Sequence, residues 1–144
     1  SVFTLGNDST LNATDVSYIA YLFADVKGYS QFGSYTGNSS VDGAFIYTGF
    51  SPAYVLTKAY NNAGNAWLVM DSKRTTEGGN IINRQLMPNT TQAGDTNKNI
   101  DLLSNGFKWR RDGGDSNYLN RTYIYMAFAQ QPFVTSTGVP ATAR

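Results

Sequence analysis

The amino-acid sequence predicts an all-β fold, an antiparallel two-sheet β-sandwich of about eight strands. Short segments that alternate apolar and polar residues recur along the chain, each bounded by clusters of Gly, Asn, Asp and Ser, a pattern typical of strands and turns. No window of a dozen residues carries a helical apolar stripe that begins at a cap. The 144 residues are 14% aromatic and only 15% charged, a composition typical of a turn-rich β domain.

Eight segments carry the strand pattern, and the turns between them agree with it. In chain order they are Val2–Leu5, Ser17–Ala24, Gly43–Thr48, Tyr54–Ala59, Ala66–Asp71, Ile81–Leu86, Gly106–Arg110 and Thr122–Ala129. The loop Asn61–Asn65 is expected to join two strands as a hairpin, and Asp112–Asp115 separates the last two. Pro52 and Pro88 fall between strands, where a missing N–H removes no ladder hydrogen bond. The segment Asp101–Gly106 is expected to form one short helical turn.

An internal repeat divides the chain. The segment Ser17–Ala24 (SYIAYLFA) closely echoes Thr122–Ala129 (TYIYMAFA), and Val2–Leu5 precedes the first copy as Gly106–Trp109 precedes the second. We therefore predict three parts: residues 1–25, a hairpin resembling the closing element of a preceding repeat; residues 26–130, the β-sandwich core; and residues 131–144, an extended C-terminal tail. Two interpretations stay open. Residues 1–25 pair within one pseudo-symmetric domain, or they end a preceding tandem unit and the chain is a fragment.

Composition excludes several classes of function. Eleven Lys+Arg against ten Asp+Glu leave a net charge of +1, without the basic footprint of a nucleic-acid-binding protein. No apolar run approaches the roughly 18 residues of a membrane-spanning helix. The chain has no Cys and no His, which removes disulfides, thiolate zinc sites and the commonest general base. We predict no cofactor, no metal, no nucleic-acid partner, no membrane insertion and no enzymatic activity, and therefore a binding or structural protein.

Two patterns of carboxylates give weaker signals. The segment Asp95–Asp101 places oxygen-bearing side chains at alternate positions, as a calcium loop begins, but Ile100 stands where such a loop has glycine and Gly106 where it has a bidentate Glu. A plain polar loop explains it better. A carboxylate glycosidase needs two acids about 5–9 Å apart, yet the only Glu is Glu77 and the Asp residues lie in turns. The candidates for such a pair are Asp71, Asp112 and Asp115.

Aromatic residues beside loops are the candidates for contact with a ligand or partner, because polar-tipped rings stack on sugars and dominate interfaces. The alternating segment Phe107–Arg111 adds one cation, although an ordinary half-buried strand with its charges in water explains that segment more simply. The aromatic residues of the repeat are expected to be structural. The contact candidates are Tyr29, Tyr35, Tyr60, Tyr118 and Arg111.

Four stretches give the chain a family resemblance. They are Gly28–Asn38 (GYSQFGSYTGN), Gly43–Lys58 (GAFIYTGFSPAYVLTK), Ile100–Phe107 (IDLLSNGF) and Thr122–Ala129 (TYIYMAFA). Together they resemble a domain of unassigned biochemistry that recurs near the C-termini of tail, fibre and other virion proteins of tailed bacteriophages, over roughly residues 17–144. The resemblance implies a virion component with an extracellular location and no catalytic residues to carry over.

The predicted function follows from this resemblance. We expect a structural and adhesion component of a bacteriophage virion, of tail or fibre type, that acts by assembly and by binding a host surface or a neighbouring subunit. Its expected partners are copies of itself, as a homotrimer, together with other virion proteins and a host-surface glycan. The alternative is a glycan-binding, lectin-like module of a secreted or surface protein. A carboxylate-based glycosidase is less favoured.

Overall fold

Nine antiparallel strands form two sheets in the computed structural model, which describes residues 2–74, 80–94 and 99–131. The strands are β1 (Ser30–Thr36), β2 (Phe45–Tyr47), β3 (Pro52–Ala59), β4 (Leu68–Asp71), β5 (Ile81–Ile82), β6 (Gln85–Leu86), β7 (Ile100–Leu103), β8 (Gly106–Trp109) and β9 (Thr122–Ala129). One sheet has the order β1-β9-β3-β4-β6 and the other β2-β8-β7-β5. The predicted all-β two-sheet sandwich is confirmed, with nine strands where about eight were expected.

The core lies between the two sheets because alternate residues of each strand point inward. In β3 and β9 the inward positions include Val55, Tyr125 and Ala127, whereas the four-stranded sheet contributes Phe107 and Trp109. All five side chains are at most 8% exposed. Burying an aliphatic or aromatic side chain of this kind contributes about 1.5–3 kcal/mol each, so these two long strands and β8 hold the sheets together.

The opposite side of the five-stranded sheet, which we call the outer face, is also apolar. Cross-strand pairing places one apolar residue from each strand in a single row across that face, and directly paired residues share a face. The row runs Phe32, Met126, Leu56, Val69, Leu86. All but Val69 remain partly exposed.

The structure corrects four predictions of secondary structure. Val2–Leu5 and Ser17–Ala24 form no strands, since none of the described strands pairs with them. The helical turn expected over Asp101–Gly106 is wrong. The segment is the hairpin between β7 and β8, where pairing of Leu102 with Phe107 outweighs local propensity. The single strand expected over Ile81–Leu86 divides into β5 and β6, which belong to different sheets.

Two strands were not predicted, and some predictions concern residues outside those that the structure describes. β1 and β7 are additional to the expected set. Glu77, most of the candidate calcium loop (residues 95–98) and the predicted tail from residue 132 onward lie outside the described residues. The remainder of that loop, Asn99–Asp101, leads into β7. Within the described ranges, no helix is long and apolar enough to cross a membrane.

Candidate functional site

Three loops meet at the end of the sandwich where β1 and β3 end and β9 begins, which we call the loop end. The antiparallel register places these termini side by side. The Gly37 N–H donates to the Arg121 carbonyl at 2.9 Å, and the Tyr60 N–H donates to the Thr122 carbonyl at 2.8 Å. The loops that follow β1, β3 and β8 therefore share one surface. Loops held by a rigid sheet are the usual place for binding residues.

A buried asparagine fixes two of these loops to each other. The Asn117 side chain is 1% exposed, and its Nδ2 donates to Asn38 Oδ1 at 2.9 Å, to the Ser40 carbonyl at 2.8 Å and to the Arg111 carbonyl at 3.0 Å. Its Oδ1 accepts the Asn38 N–H at 3.0 Å. Because every polar atom of this amide is engaged, it stabilises the loop positions rather than offering a free group to a ligand.

Two tyrosines anchor the same loop from the core. The Tyr35 hydroxyl donates to the Ser116 carbonyl, and the Tyr123 hydroxyl donates to the Gly114 carbonyl, each at 2.7 Å. Burial raises the pKa of Tyr35 well above its usual value, with a further contribution from neighbouring Tyr123, and burial likewise raises the pKa of Tyr123. Both hydroxyls are therefore neutral donors at physiological pH.

A charged network borders this loop on the outside. Asp115 Oδ1 accepts hydrogen bonds from Asn65 Nδ2 at 2.9 Å and from the Ala66 N–H at 3.2 Å. Arg121 Nη1 donates to Asn65 Oδ1 at 2.9 Å, and its guanidinium lies 4.3 Å from the centroid of the Tyr118 ring. A cation over an aromatic face is attractive. The network thereby holds the exposed Tyr118 ring in one orientation.

An open polar cleft of about 370 Å³ lies beside Asp115, between the β3–β4 hairpin loop and the loop after β6. The two loops are joined where Asn89 Oδ1 accepts the Trp67 N–H at 2.9 Å. The lining residues are Ala63, Gly64, Asn65, Ala66, Met87, Asn89, Thr90, Thr91, Gln92 and Asp115. Amides, hydroxyls and one carboxylate match the hydrogen-bonding groups of a neutral polar ligand such as a sugar.

The structure brings four of the five predicted contact residues to the loop end. Tyr60 and Tyr118 are 74% and 49% exposed there. Arg111 is half-buried. The Tyr35 hydroxyl donates a hydrogen bond within the chain, so the role of Tyr35 in this structure is structural. Tyr29 lies at the other end of β1, where its ring packs edge-on against Phe128 at 5.9 Å.

Sequence reasoning missed the cleft residues Asn65, Asn89 and Gln92. The one available signal was the concentration of Asn, Thr and Gln in residues 89–92. This composition is equally typical of an ordinary turn. The contact between that turn and the β3–β4 loop depends on the topology of the sheet.

Two of the three candidate glycosidase carboxylates, Asp71 and Asp115, do not share a site. Asp115 bonds the Ala66 N–H near the start of β4, whereas Asp71 ends β4 and pairs with Arg74 at 2.7 Å. Because the chain is extended along β4 between these two points, the two carboxylates lie on the order of 15 Å apart. This distance exceeds the roughly 5–9.5 Å between the carboxylates of a glycosidase pair. Among the described residues no group of three or more His, Cys, Asp or Glu side chains could hold a metal ion.

Two basic residues in and directly after β8, Lys108 and Arg110, are paired at the surface. Lys108 Nζ lies 2.7 Å from Asp42 Oδ1, and the Arg110 guanidinium contacts the same carboxylate. The hydrogen bond and charge of Lys108 lower the pKa of Asp42. This arrangement agrees with the simpler interpretation of Phe107–Arg111, a half-buried strand whose charges face water.

Comparison with known proteins gives a match to a family. A family model described as "Domain of unknown function (DUF7483)" matches residues 1–132, and thus includes both the sandwich and the N-terminal residues before β1. No curated protein and no solved structure matches the chain.

Proposed function

We propose that this chain, which belongs to DUF7483, a family of domains of unknown function, is a structural and adhesion component of a bacteriophage virion, of tail or fibre type. It acts by assembly and by binding, at the surface of the particle. The resemblance of Gly28–Asn38, Gly43–Lys58 and Thr122–Ala129 to virion domains supports this role. Its partners are copies of itself, as a homotrimer, and other virion proteins, since fibre-like assemblies are built by symmetric repetition.

The construction of the loop end is the observation that carries the adhesion part of this proposal. Asn117, Tyr35 and Tyr123 hold its loops from inside, while the Tyr60 and Tyr118 rings are exposed to solvent. Exposed aromatic residues on a rigid support lose little conformational entropy when they bind, which favours recognition of a surface.

Labelling of phage particles tests the virion assignment. Gold-conjugated antibodies raised against the chain are applied to purified particles of a phage whose genome encodes it, with antibodies adsorbed on the chain as the control. We expect label at one position of the particle, removed by adsorption. Purified particles that carry no label and contain no peptide of the chain by mass spectrometry would contradict the assignment.

A second candidate function is a glycan-binding, lectin-like module, which the 370 Å³ polar cleft favours. An array of bacterial surface polysaccharides identifies a ligand, and isothermal titration calorimetry then compares two variants. Gln92→Ala removes a lining amide, whereas Gln130→Ala removes an exposed amide beyond the end of β9. We expect Kd to rise at least 5-fold for Gln92→Ala and to stay unchanged for Gln130→Ala. Equal effects of the two variants, or no polysaccharide bound at micromolar concentration, would exclude the cleft as a glycan site.

A further inference from the structure

Residues 2–25, which we call the N-terminal segment, expose an unusual amount of apolar surface. Ten of their large apolar side chains are between 43% and 98% exposed, the most exposed being Val2, Ile19, Tyr21 and Leu22. Soluble monomers rarely display contiguous apolar patches of more than a few hundred Å². A full aromatic side chain alone carries about 150–250 Å², so the segment offers on the order of 1,000 Å². A standard protein interface buries roughly 800 Å² per partner.

The pattern within the segment is that of a strand covered on both faces. Residues 18–24 are apolar at every position, which is typical of a buried strand rather than of an edge strand or a loop. They echo β9, which lies between β1 and β3 in this same fold. Yet residues 17–24 form no strand.

The segment already shows where such side chains pack. The Phe23 ring stacks on Phe32 with centroids 5.8 Å apart and lies edge-on to Phe128 at 6.0 Å. Both partners belong to the outer face of the five-stranded sheet. Neighbouring residues of that face, Leu56 and Ile124, stay partly exposed, and Ile19, Tyr21 and Leu22 remain 70–82% exposed. Within one chain the two complementary apolar surfaces are thus only partly used.

Charge distinguishes the segment from the rest of the chain. Residues 1–25 contain three carboxylates and no Lys or Arg, a formal charge of −3, whereas residues 26–144 contain eleven Lys+Arg and seven Asp+Glu, a formal charge of +4. The three carboxylates are Asp8, Asp15 and Asp25. Copies of the chain can therefore approach with the acidic segment of one against the basic body of another.

We propose that the N-terminal segment of one copy packs on the outer face of the five-stranded sheet of a second copy, and that this contact assembles the protein. The occupant is a second copy because the segment repeats the apolar pattern of β9 in this fold and because its charge complements that of the body. The inference rests on the assembly part of the proposed function and names the surface that performs it.

Disulfide trapping tests the contact directly, since the chain contains no cysteine. A Leu22→Cys protein is mixed with an isotopically labelled Ile124→Cys protein, and both are oxidised under mild conditions. We expect mixed covalent dimers, identified by mass, at a yield at least 5-fold above that of the control mixture of Leu22→Cys with Val41→Cys. Val41 is 65% exposed in the loop between β1 and β2. A yield equal to that of the control would overturn the proposal.

A double variant that carries Leu22→Cys and Ile124→Cys in one chain separates the two possible pairings. We expect bridges between chains. If the cysteines bridge only within single chains, the segment closes on its own sheet and the proposal is wrong.

Solution mass measured by light scattering supplies an independent result. We expect the unmodified protein to have a mass of two or more 15.7 kDa chains. The Ile19→Asp variant should have the mass of one chain and an unchanged circular dichroism spectrum. The Val41→Asp variant should remain assembled. An oligomer that withstands Ile19→Asp would overturn this inference and leave the proposed function intact. An unmodified protein that is monomeric at 200 µM would contradict both the inference and the assembly part of that function.

Discussion

Tyr35 of β1 and Tyr123 of β9 stack against each other, with ring centroids 5.1 Å apart and planes inclined by 13°. Both hydroxyls leave this stack in the same direction and donate to carbonyls of one loop, those of Ser116 and Gly114. The loop that carries Asp115 and Asn117 is therefore attached to the core through two neutral phenols. Its position depends on their protonation.

Alkaline pH is expected to destabilise the protein through this pair. Native Tyr35 has a pKa well above the roughly 10 of a tyrosine in an unfolded chain. Below pH 10 both states hold the proton and stability is unaffected; above it only the unfolded chain loses the proton, so the free energy of unfolding falls as pH rises. Each such tyrosine lowers the free energy of unfolding by up to about 1.4 kcal/mol per pH unit above pH 10.

Urea denaturation at pH 9 and pH 11 measures this effect. Tyr35→Phe should be about 1 kcal/mol less stable than the native protein at pH 9, because the bond to Ser116 is lost, and the difference should shrink or vanish at pH 11. The Tyr60 ring is largely exposed, so Tyr60→Phe should have the same free energy of unfolding as the native protein at both pH values. Parallel behaviour of Tyr35→Phe and the native protein would show that the Tyr35 phenol is not the sensitive group.

The limits of prediction from the sequence are seen in β1 and in the N-terminal segment. β1 (SQFGSYT) is polar and contains Gly33, so its pattern does not suggest a strand. The glycine leaves room for the Tyr125 ring, which would lie 2.9 Å from a Cβ at this position. Ser17–Ala24 has the strand pattern but no partner strand. Strand formation depends on neighbours that local sequence does not specify.

The residues of the candidate site were likewise predictable only in part from the sequence. Tyr60 and Tyr118 could be chosen because aromatic residues beside turn-forming sequences are a local signal. The cleft could not, since Asn65, Asn89 and Asp115 come from three loops that meet only through the order of the strands. Asn117 gave no signal either, because a buried and a solvent-exposed asparagine are indistinguishable in a sequence rich in this residue.

Replacement of Asn117 is expected to loosen the loop end. Asn117→Ala leaves the Ser40 and Arg111 carbonyls and the Asn38 N–H without their side-chain partner in a largely buried site. Unsatisfied buried polar groups cost about 1–3 kcal/mol each, partly relieved by water, so we expect the free energy of unfolding to fall by about 3 kcal/mol in urea denaturation. Asn80→Ala, at an exposed position, should change it by less than about 0.5 kcal/mol. Equal stability of the two variants would mean that Asn117 does not hold the loops.

Close backbone packing at Gly37 gives a steric prediction. A Cβ at this position would lie 2.3 Å from the Tyr118 carbonyl oxygen and 2.8 Å from the Asn117 carbonyl carbon, both backbone atoms that cannot rotate away. Gly37→Ala should therefore lower stability by about 1–3 kcal/mol. At Gly64 the nearest atom to an added Cβ is 3.9 Å away, so Gly64→Ala should be neutral within about 0.5 kcal/mol. Thermal unfolding followed by circular dichroism distinguishes them, and a Gly37→Ala protein as stable as Gly64→Ala would show that the loop can shift freely.

Gln85 presents the opposite case from Asn117, a buried amide whose replacement should help. Its side chain is 1% exposed on β6, its Oε1 has no hydrogen-bond partner among the described residues, and its Nε2 has only the weak acceptor Met87 Sδ at 3.9 Å. An apolar side chain of similar shape removes the desolvation penalty of such an amide. We therefore expect Gln85→Met to raise the free energy of unfolding by about 1 kcal/mol and the melting temperature by about 4 °C. Gln130→Met, at an exposed position, should change neither. A loss of stability in Gln85→Met, measured by calorimetry against that control, would show that Oε1 is hydrogen-bonded in solution and that the core of the sandwich is built around a satisfied amide.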